Sequence, residues 1–494
     1  MQEQRPSYEV HLDADPGRDP RARQDAHDAQ PLAERVFRLA ICGNFSGQAS
    51  ATGAANSADR AWRVDRDDFD DVLAAVAPTL QLELGKGMVV DVRIRELDDF
   101  HPDQLFAHVP QFERLRQLRS ELADPRTFGR AAADLAAPVA TPRKAVARQQ
   151  GSLLDAIVGG DGPDDDAVET RTNTDSLYEF IQRAMAPHLV ARTDPRQTEL
   201  VAQVDGAIAD AMRALLHHPA FQSLEALWRG VFRLVRHIDT DERLQVHLFD
   251  VSRQTLCADM HGVSDAPASA LYARLAARAS AEQGGWAVLV AHHAFGGEAT
   301  DVDVLDRLAA VGAALDAPWI AEAHPDLAMG SMSPSAMDAW QRLREHEHAP
   351  YLAMAMPRVL LRLPYGSDTE TIERFAFEEL ESADAHGSYL WGNPALFCAT
   401  LLAQGFTERG PVLSTASSQL DGLPMHLVRR DGVTTVKPCA EVVMREEDAN
   451  ALLDAGVIPM CSLRDQDVVR VPRIQSIAEP AARLAGRLAR GGEA

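Results

Sequence analysis

The sequence predicts an α/β protein, with a small α/β domain joined by a linker to a larger layered one. Its 494 residues exceed what one core organises, since single cores stop growing near ~250–300 residues. The composition is globular, with 46% hydrophobic and 25% charged residues. Later in the chain, short apolar runs alternate with helical patterns, which is typical of a layered and partly parallel sheet.

The polar N-terminal arm, residues 1–30, carries one strand-like pattern. Tyr8, Val10 and Leu12 alternate with polar residues, and this period of two is typical of a β-strand. No partner strand is evident nearby. The segment is therefore either a chance pattern in a flexible arm or a strand that pairs elsewhere.

Residues 31–125 are predicted to form the small domain, with strands and helices. An apolar run at 36–42 ends at a glycine-containing turn. Alternating apolar residues on both sides of a second turn predict a hairpin, while acidic residues and prolines mark helix starts. The hairpin is expected at 80–94, and the helices at 67–73 and 102–122, the latter bent at Pro110.

Residues 126–174 are predicted to be a linker that contains one short docking helix. Ala, Pro, Arg and Gln dominate its first part, as in a linker. Leu153, Leu154 and Ile157 belong to an apolar island between glycine-containing stretches. An isolated helix below about 12 residues is marginal in water. We therefore expect the island to dock on this chain or on a partner.

Residues 175–480 are predicted to form the larger domain, which opens with two helices. Strand-like apolar runs then alternate with helical patterns. The strands are expected at 244–251, 286–291, 318–321 and 351–356, and the helices near 269–281, 302–315, 335–345 and 393–404. The last residues, 481–494, have the pattern of a frayed helical tail.

Charge and cysteine usage exclude several classes of protein. The chain carries 49 Lys and Arg against 73 Asp and Glu, a net charge of −24, and a polyanion repels nucleic acids and anionic lipids. No run of ~18 apolar residues occurs, so we expect no membrane insertion. The N-terminus lacks a signal-peptide layout, and the five cysteines include no CxxC pair. We therefore expect a location in the reducing cytoplasm.

The motifs do not predict an enzyme, a metal site or a cofactor. The histidine pairs at 217–218, 292–293 and 346/348 lack the i, i+4 spacing of a helical zinc site, and neither phosphate-loop nor GxSxG motifs occur. Glu378 and Glu379, with the nearby Glu373, could form an acid/base pair. Nothing in the sequence fixes their geometry, and the pattern favours a solvated charged face.

Two ordered sets of residues resemble the two subunits of the type VI secretion contractile sheath. The set that resembles the small subunit comprises Val36–Gly47, Asp67–Leu73, Leu97–Asp103, Val109–Phe112, Leu115, Leu118 and Arg119. The set that resembles the large subunit comprises Leu215–Glu225, Trp228–Gly230, Pro318–Ile320, Met356–Arg358, Arg362–Gly366, Phe375–Glu379 and Tyr389–Pro394. In this combination the motifs are specific, and the chain resembles both subunits fused.

This resemblance implies a structural, non-enzymatic protomer. Sheath protomers self-assemble into helical rings around an inner tube protein, and contraction of the sheath expels effectors. The expected partners are further copies of the chain, the tube protein, baseplate components and a recycling AAA+ unfoldase. A tether between the two halves would fix their stoichiometry, because pairing within one chain has an effective concentration in the ~mM range.

The resemblance also gives the two apolar patterns a role. Tyr8, Val10 and Leu12 lie where the small subunit has an arm that pairs with neighbouring protomers by strand addition. Leu153, Leu154 and Ile157 lie where the large subunit has a helix that the unfoldase recognises. An apolar helix face seated in a groove is a common mode of such recognition.

One departure from the family keeps alternatives open. The large subunit normally continues well past the point that matches Val471, so its C-terminal segment is expected to be missing here. A sheath-like terminator, a baseplate-side adaptor or a non-contracting paralogue is then an alternative to the sheath protomer. An unrelated soluble metal-dependent enzyme is a second alternative.

Overall fold

The protein is described here from a computed structural model of the chain. The described residues are 36–48, 61–85, 88–136, 194, 196–262, 265–282, 284–328, 332–380, 386–410, 418–430 and 433–489. They combine helices with a mixed sheet, which confirms the predicted α/β fold class.

The main sheet has seven strands within the described residues. In spatial order they are β14 (Val457–Pro459), β8 (Leu352–Met356), β7 (Trp319–Ala323), β6 (Val288–Phe295), β1 (Phe37–Gly43), β5 (Leu244–Asp250) and β2 (Ala61–Val64). All neighbouring pairs are parallel except β5 and β2, so β2 is an antiparallel edge strand. The predicted runs at 244–251, 286–291, 318–321 and 351–356 each correspond to a strand of this sheet.

Strand β1 lies inside the sheet and is buried along its whole length. It pairs with β5 from Phe37↔Leu244 to Gly43↔Asp250 and with β6 from Leu39↔Val288. A strand covered on both faces reads as a continuous apolar run, as β1 does.

Helices make the outer layers of this unit. The helices of the described residues are α1 (Phe69–Val76), α2 (Pro102–His108), α3 (Glu113–Ala123), α4 (Phe128–Ala136), α5 (Arg196–Leu216), α6 (Pro219–His237), α7 (Arg253–His261), α8 (Ala270–Ala281), α9 (Ala299–Leu315), α10 (Pro325–Ala328), α11 (Pro334–Glu345), α12 (Pro394–Arg409) and α13 (Glu446–Asp454). Short 3₁₀ turns lie at Leu97–Phe100, Pro110–Phe112, Ala266–Ala268, Ala349–Tyr351 and His386–Ser388.

The two faces of the sheet are covered by different helices. Alternate strand residues, such as Ala40, Leu289 and Trp319, pack in one core cluster with residues of α7, α8, α9 and α11. On the opposite face α12 contacts β1, β6, β7 and β8, and it also contacts α6. The result is a three-layer arrangement with the sheet in the middle.

The remaining strands form smaller sheets. They are β3 (Thr79–Glu83) with β4 (Val89–Arg93), β9 (Val359–Leu360) with β10 (Trp391–Gly392), β12 (Leu427–Arg430) with β13 (Val433–Val436), and β11 (Ser418–Leu420) with β16 (Val469–Val471) and β15 (Cys461–Ser462). Strands β3 and β4 form the predicted hairpin. The helix predicted at 102–122 is interrupted at Pro110, where the proline opens a 3₁₀ turn between α2 and α3.

The chain divides into two compact units whose limits differ from the predicted domains. One comprises Met1–Val109 with Met212–Ala494, and the other comprises Pro110–Ala211. The predicted small domain, 31–125, supplies β1 and β2 to the same sheet as the predicted large domain, 175–480. The cause is strand pairing, since β1 satisfies its backbone groups on β5 and β6 rather than within its own segment.

The second unit contains α3, α4 and most of α5. Arg119 forms an ion pair with Asp205, with 2.5 Å between Nε and Oδ1. The side-chain amide of Gln197 donates to the backbone carbonyl groups of Leu122 and Ala123, at 2.8 Å each. These contacts join the end of α3 to α5.

Residues 481–489 differ from the frayed helix expected for the tail. Leu484 and Leu488 are buried, and the backbone N–H of Ala485 donates to the carbonyl of Pro350 at 2.9 Å. This stretch has an irregular backbone with turns. Burial of the two leucines and long-range backbone hydrogen bonds replace helix formation here.

Candidate functional site

The six residues predicted to bind partners lie outside the described residues. They are Tyr8, Val10 and Leu12 of the arm, and Leu153, Leu154 and Ile157 of the apolar island. Both assignments stay predictions. Other residues of the motifs that resemble the large subunit lie within the described part of the chain, and the fold brings several of them together.

A buried ion network joins three separate stretches of the chain. Arg362 donates to both oxygens of Glu225, at 2.7 and 3.3 Å, and to both oxygens of Glu379, at 2.8 and 3.1 Å. The exposed fractions are 5% for Arg362, 0% for Glu225 and 1% for Glu379. Such a double fork suits a guanidinium, because its N–H groups are planar and fixed.

Further groups complete the network around these charges. Arg229 donates to Glu225 at 2.7 Å and to the hydroxyl of Tyr365 at 3.0 Å. The backbone N–H of Tyr365 donates to Glu379 at 2.8 Å, and the guanidinium carbon of Arg362 lies 4.2 Å from the centre of the Tyr365 ring. The network therefore holds two arginines against two carboxylates, so its formal charges balance.

The electrostatics keep these groups ionised. Burial alone would raise the pKa of Glu379, but the charge of Arg362 and hydrogen bonds to the carboxylate lower that pKa to about 2. Burial also opposes the charge of Arg362, yet Glu225 and Glu379 raise its pKa well above the usual value. The low pKa keeps Glu379 ionised near neutral pH, far from the pKa near the working pH that suits a general acid or base.

Residues 97–106 contact the same region. The rings of His101 and Tyr365 meet edge to face, with centroids 4.9 Å apart, and those of Phe106 and Phe375 are 4.8 Å apart. The carboxylate of Asp103 accepts hydrogen bonds from the backbone N–H groups of residues 373 and 374, at 3.1 and 3.0 Å. The network thus underlies a junction between an early segment and a late segment of the chain.

A second junction is made by β1 and the turn that follows it. The guanidinium of Arg38 donates to the side chain of Gln245 at 2.9 Å, across 207 residues of sequence. The indole N–H of Trp228 donates to the backbone carbonyl of Phe45 at 3.2 Å. Both contacts are buried, and they fix the early segment against β5 and α6.

His218 and His293, one member of each of two histidine pairs, have structural contacts. His218 caps α6, where its ring nitrogen accepts from the N–H of Ala220 at 3.2 Å. His293 lies 3.1 Å from the backbone carbonyl of Val251. Within the described part of the chain, no group of three or more potential ligand side chains could hold a metal ion. No helix in that part is long and apolar enough to span a bilayer.

Comparison with known proteins identifies the early and the late segments of the chain that meet at the two junctions. A family model described as "Type VI secretion system, VipA, VC_A0107 or Hcp2" matches residues 22–134. The model "VipB: EvpB/VC_A0108, tail sheath N-terminal domain" matches residues 198–478, which is more than half of the chain. The chain therefore combines segments that match both subunit types of the type VI secretion sheath.

The chain belongs to the VipB tail sheath family. A curated relative is the "Type VI secretion system sheath protein TssC1" of Pseudomonas aeruginosa strain PAO1, which is 27% identical over 340 residues. That match covers 64% of this chain and 68% of the relative. Membership of the family implies assembly with other sheath subunits.

The sequence interpretation missed the burial of Glu379. A solvated charged face was expected for Glu378 and Glu379, and for Glu379 this expectation is wrong, since only Glu378 is exposed. A signal was present in the alternation of Phe375, Phe377 and Glu379, which puts all three on one side of an extended chain. Glu379 lies on that buried side because Arg362 supplies its counter-charge.

Proposed function

We propose that this chain is a single-chain protomer of a type VI secretion contractile sheath. In this proposal, protomers assemble in the cytoplasm as helical rings around an inner tube, and contraction expels the tube with its effectors. The supporting observation is the position of β1. This strand comes from the segment that matches the VipA model, yet it is hydrogen-bonded on both sides by strands of the segment that matches the VipB model.

Within this proposal, the strands that the small-subunit part (31–125) and the large-subunit part (175–480) contribute to the main sheet act together. A sheath that contracts must transmit force between subunits, and a central strand shared by the two parts gives a path for it. The region of the ion network adds a second connection, because His101 of the small-subunit part contacts Tyr365 and Asp103 accepts from the backbone N–H groups of residues 373 and 374.

Assembly is proposed to use the N-terminal arm. Tyr8, Val10 and Leu12 would add a strand to a neighbouring protomer, where backbone hydrogen bonds give affinity and the alternate side chains set the register. The baseplate would provide the first ring of acceptors. The alternation of these residues and the family's use of extended arms support this role.

The assembly proposal is tested by electron microscopy of the purified chain mixed with its matching tube protein. Helical tubes are expected. Val10→Pro removes a ladder donor and should abolish the tubes, whereas Gln24→Pro, outside the alternating segment, should not. Monodisperse monomers across protein and salt concentrations would contradict the proposal, and short rings that never elongate would indicate a terminating role instead.

Recycling is proposed to use the apolar island. Leu153, Leu154 and Ile157 would present one apolar face of a short helix to a groove of the AAA+ unfoldase. Leu154→Asp should weaken binding by more than about tenfold, because a charge would have to be buried in that groove. Ser152→Asp adds the same charge beside the face and should bind normally. Equal binding by both variants, measured by fluorescence anisotropy, would refute this role.

A further inference from the structure

A cavity of about 410 Å³ opens at the carboxyl edge of the main sheet. Its walls come from the end of β1, from β6 and β7, and from the segment around β10. In open α/β sheets, this edge is where ligands bind. The cavity uses none of the charged residues of the ion network.

An irregularity of β6 shapes the cavity wall. Ala291 pairs with Ala321 and Ala294 pairs with Glu322, so two residues of β6 between them have no partner on β7. These residues are His292 and His293. Bulges of this kind often re-aim side chains beside a functional site, and both histidines line the cavity.

Two acceptor atoms on residues of the cavity wall are unsatisfied. Asn44 Oδ1 and His292 Nε2 are buried and have no hydrogen-bond partner within the described residues. Burial, together with the neighbouring His293, lowers the pKa of His292 to about 3, so its ring is neutral and one ring nitrogen can accept. The carboxylate of Glu322 has no hydrogen bond in the described part of the chain, but the positive charge of Arg358 acts on it.

The arginines of the wall are already paired. A guanidinium nitrogen of Arg253 lies 2.6 Å from Oδ1 of Asp301. Arg358 donates two hydrogen bonds to the carboxylate of Glu441, at 2.9 and 2.5 Å. Each pair is neutral as a whole, so above about pH 7, where Glu322 is ionised, the charge left over at the cavity is that of Glu322. The wall therefore lacks the free cation that an anionic ligand would need.

Two helices begin beside the cavity, but their ends are capped. The side chain of Asn393 accepts from the N–H of Ala395 at 2.9 Å at the start of α12, and His218 does the same for α6. These caps satisfy first-turn donors that an anion would otherwise use. The groups that still lack partners are acceptors.

Aromatic rings complete the wall. Tyr389 and Trp391 line the cavity, with their ring centroids 5.8 Å apart. Tyr389 already makes a cation–π contact, since Nζ of Lys437 lies 5.3 Å from the centre of its ring. Such rings attract cations through their π faces, and a planar guanidinium also stacks on them.

We propose that this cavity binds a guanidinium group. The group would donate to Asn44, His292 and Glu322 and would lie against Trp391. Its planar set of five N–H donors can serve several acceptors that line one cavity, whereas an ammonium offers three donors from one atom. The source is either a free guanidinium compound or an arginine side chain of another protein chain.

The test is calorimetric titration of the unassembled chain with Nα-acetyl-arginine amide. Nα-acetyl-citrulline amide is the control, because it has nearly the same shape without the charge. Saturable binding of the arginine probe, at least about tenfold tighter than that of the citrulline probe, is expected. Equal or absent binding of the two probes overturns the proposal, and this outcome is independent of whether the chain forms a sheath.

Two single-residue variants test whether the arginine probe binds in this cavity. Glu322→Gln keeps the shape of the side chain and should weaken binding of the arginine probe by at least about tenfold. Glu298→Gln removes an exposed carboxylate close to the same sheet edge and should leave binding unchanged. Circular dichroism of both variants verifies folding. Equal effects of the two substitutions would show that the probe binds through general charge, and would overturn the site.

A final comparison separates the two sources. The arginine and citrulline probes are added at millimolar concentration to the assembling chain. Selective inhibition by the arginine probe identifies an arginine side chain of another chain as the natural occupant. Normal assembly with bound probe identifies a free guanidinium compound, and both results support the site.

Discussion

Arg362 illustrates at the scale of single residues how the chain tolerates buried charge. It is the shared partner of Glu225 and Glu379, and all three side chains are nearly inaccessible to water. A buried ion pair adds little net stability, because desolvation offsets the attraction. Removal of one partner strongly lowers the stability, since the charge that remains is buried without compensation.

We therefore expect Arg362→Met to lower the free energy of unfolding by about 3–5 kcal/mol. Urea unfolding followed by circular dichroism measures the change. Arg464→Met is the matched control, because the side chain of Arg464 is 95% exposed, and it should cost less than about 1 kcal/mol. Similar losses in the two variants would show that the network contributes no more than a surface pair.

Glu322 gives the stability a distinct pH dependence. Burial raises the pKa of this carboxyl from 4.5 to about 7, although Arg358 opposes the shift and Glu441 adds to it. Between these two values the unfolded chain releases a proton that the folded chain retains. Stability attributable to Glu322 therefore falls as the pH rises across this window, by up to about 3 kcal/mol.

Glu322→Gln should remove that slope. We expect the variant to be more stable than the natural chain above pH 7 and to differ less from it near pH 4.5, the limits set by the two pKa values. Chemical unfolding at several pH values measures the difference. An unchanged slope would show that Glu322 titrates normally in the folded chain. Glu379, whose pKa is lowered to about 2, acts in the opposite sense and loses its contribution only in acid.

At the scale of elements, the absence of a side chain at Gly230 lets α6 approach α12 closely. A Cβ atom added at Gly230 would lie 2.6 Å from Cδ1 of Leu396 on α12, a side chain that is itself buried. Gly206 on α5 is different, since no atom lies within 4 Å of the corresponding position.

Gly230→Ala is therefore expected to destabilise the chain by about 1–3 kcal/mol through overpacking. Gly206→Ala should instead stabilise it by about 0.5–1 kcal/mol, because alanine is the better helix former. Thermal unfolding of the two variants measures this difference in sign. Stabilisation by both substitutions would show that Leu396 moves aside without cost.

The elements themselves were largely predictable. The apolar run at 36–42 and the runs that became β5 to β8 all form strands, because side-chain periodicity depends on local sequence. The frayed helix expected at 481–494 is absent from the described residues 481–489, where long-range contacts override the local helical pattern. The exposed face expected for Glu379 failed for the same kind of reason.

At the scale of the whole molecule, β1 connects the segment that matches the VipA model to the segment that matches the VipB model. It is hydrogen-bonded to β5 and β6 along most of its length, so we expect the segments to stay associated without the covalent connection between them. The connection determines stoichiometry and effective concentration.

A chain cut within residues 137–193, at an inserted site for a specific protease, should remain a complex. The two fragments are expected to elute together in size-exclusion chromatography, because separation would expose the apolar faces of β1, β5 and β6. The same cut in a chain with Ile41→Asp, which places a charge in the fully buried β1, should release the fragments. Separation of the natural fragments without denaturant would contradict this account.

The sequence by itself determined the inner strands of the main sheet, the α/β class and the family, since each depends on local periodicity or on ordered short motifs, whereas α4 lies in a stretch expected to be linker. The tertiary structure alone decided which strands are neighbours, that Arg362 is the partner of Glu379, and that two unsatisfied acceptors and Glu322 belong to one cavity. Local patterns carry no information on these points. The partners are far apart in the chain, as Arg38 and Gln245 are at 207 residues, and only the burial of apolar surface brings them together.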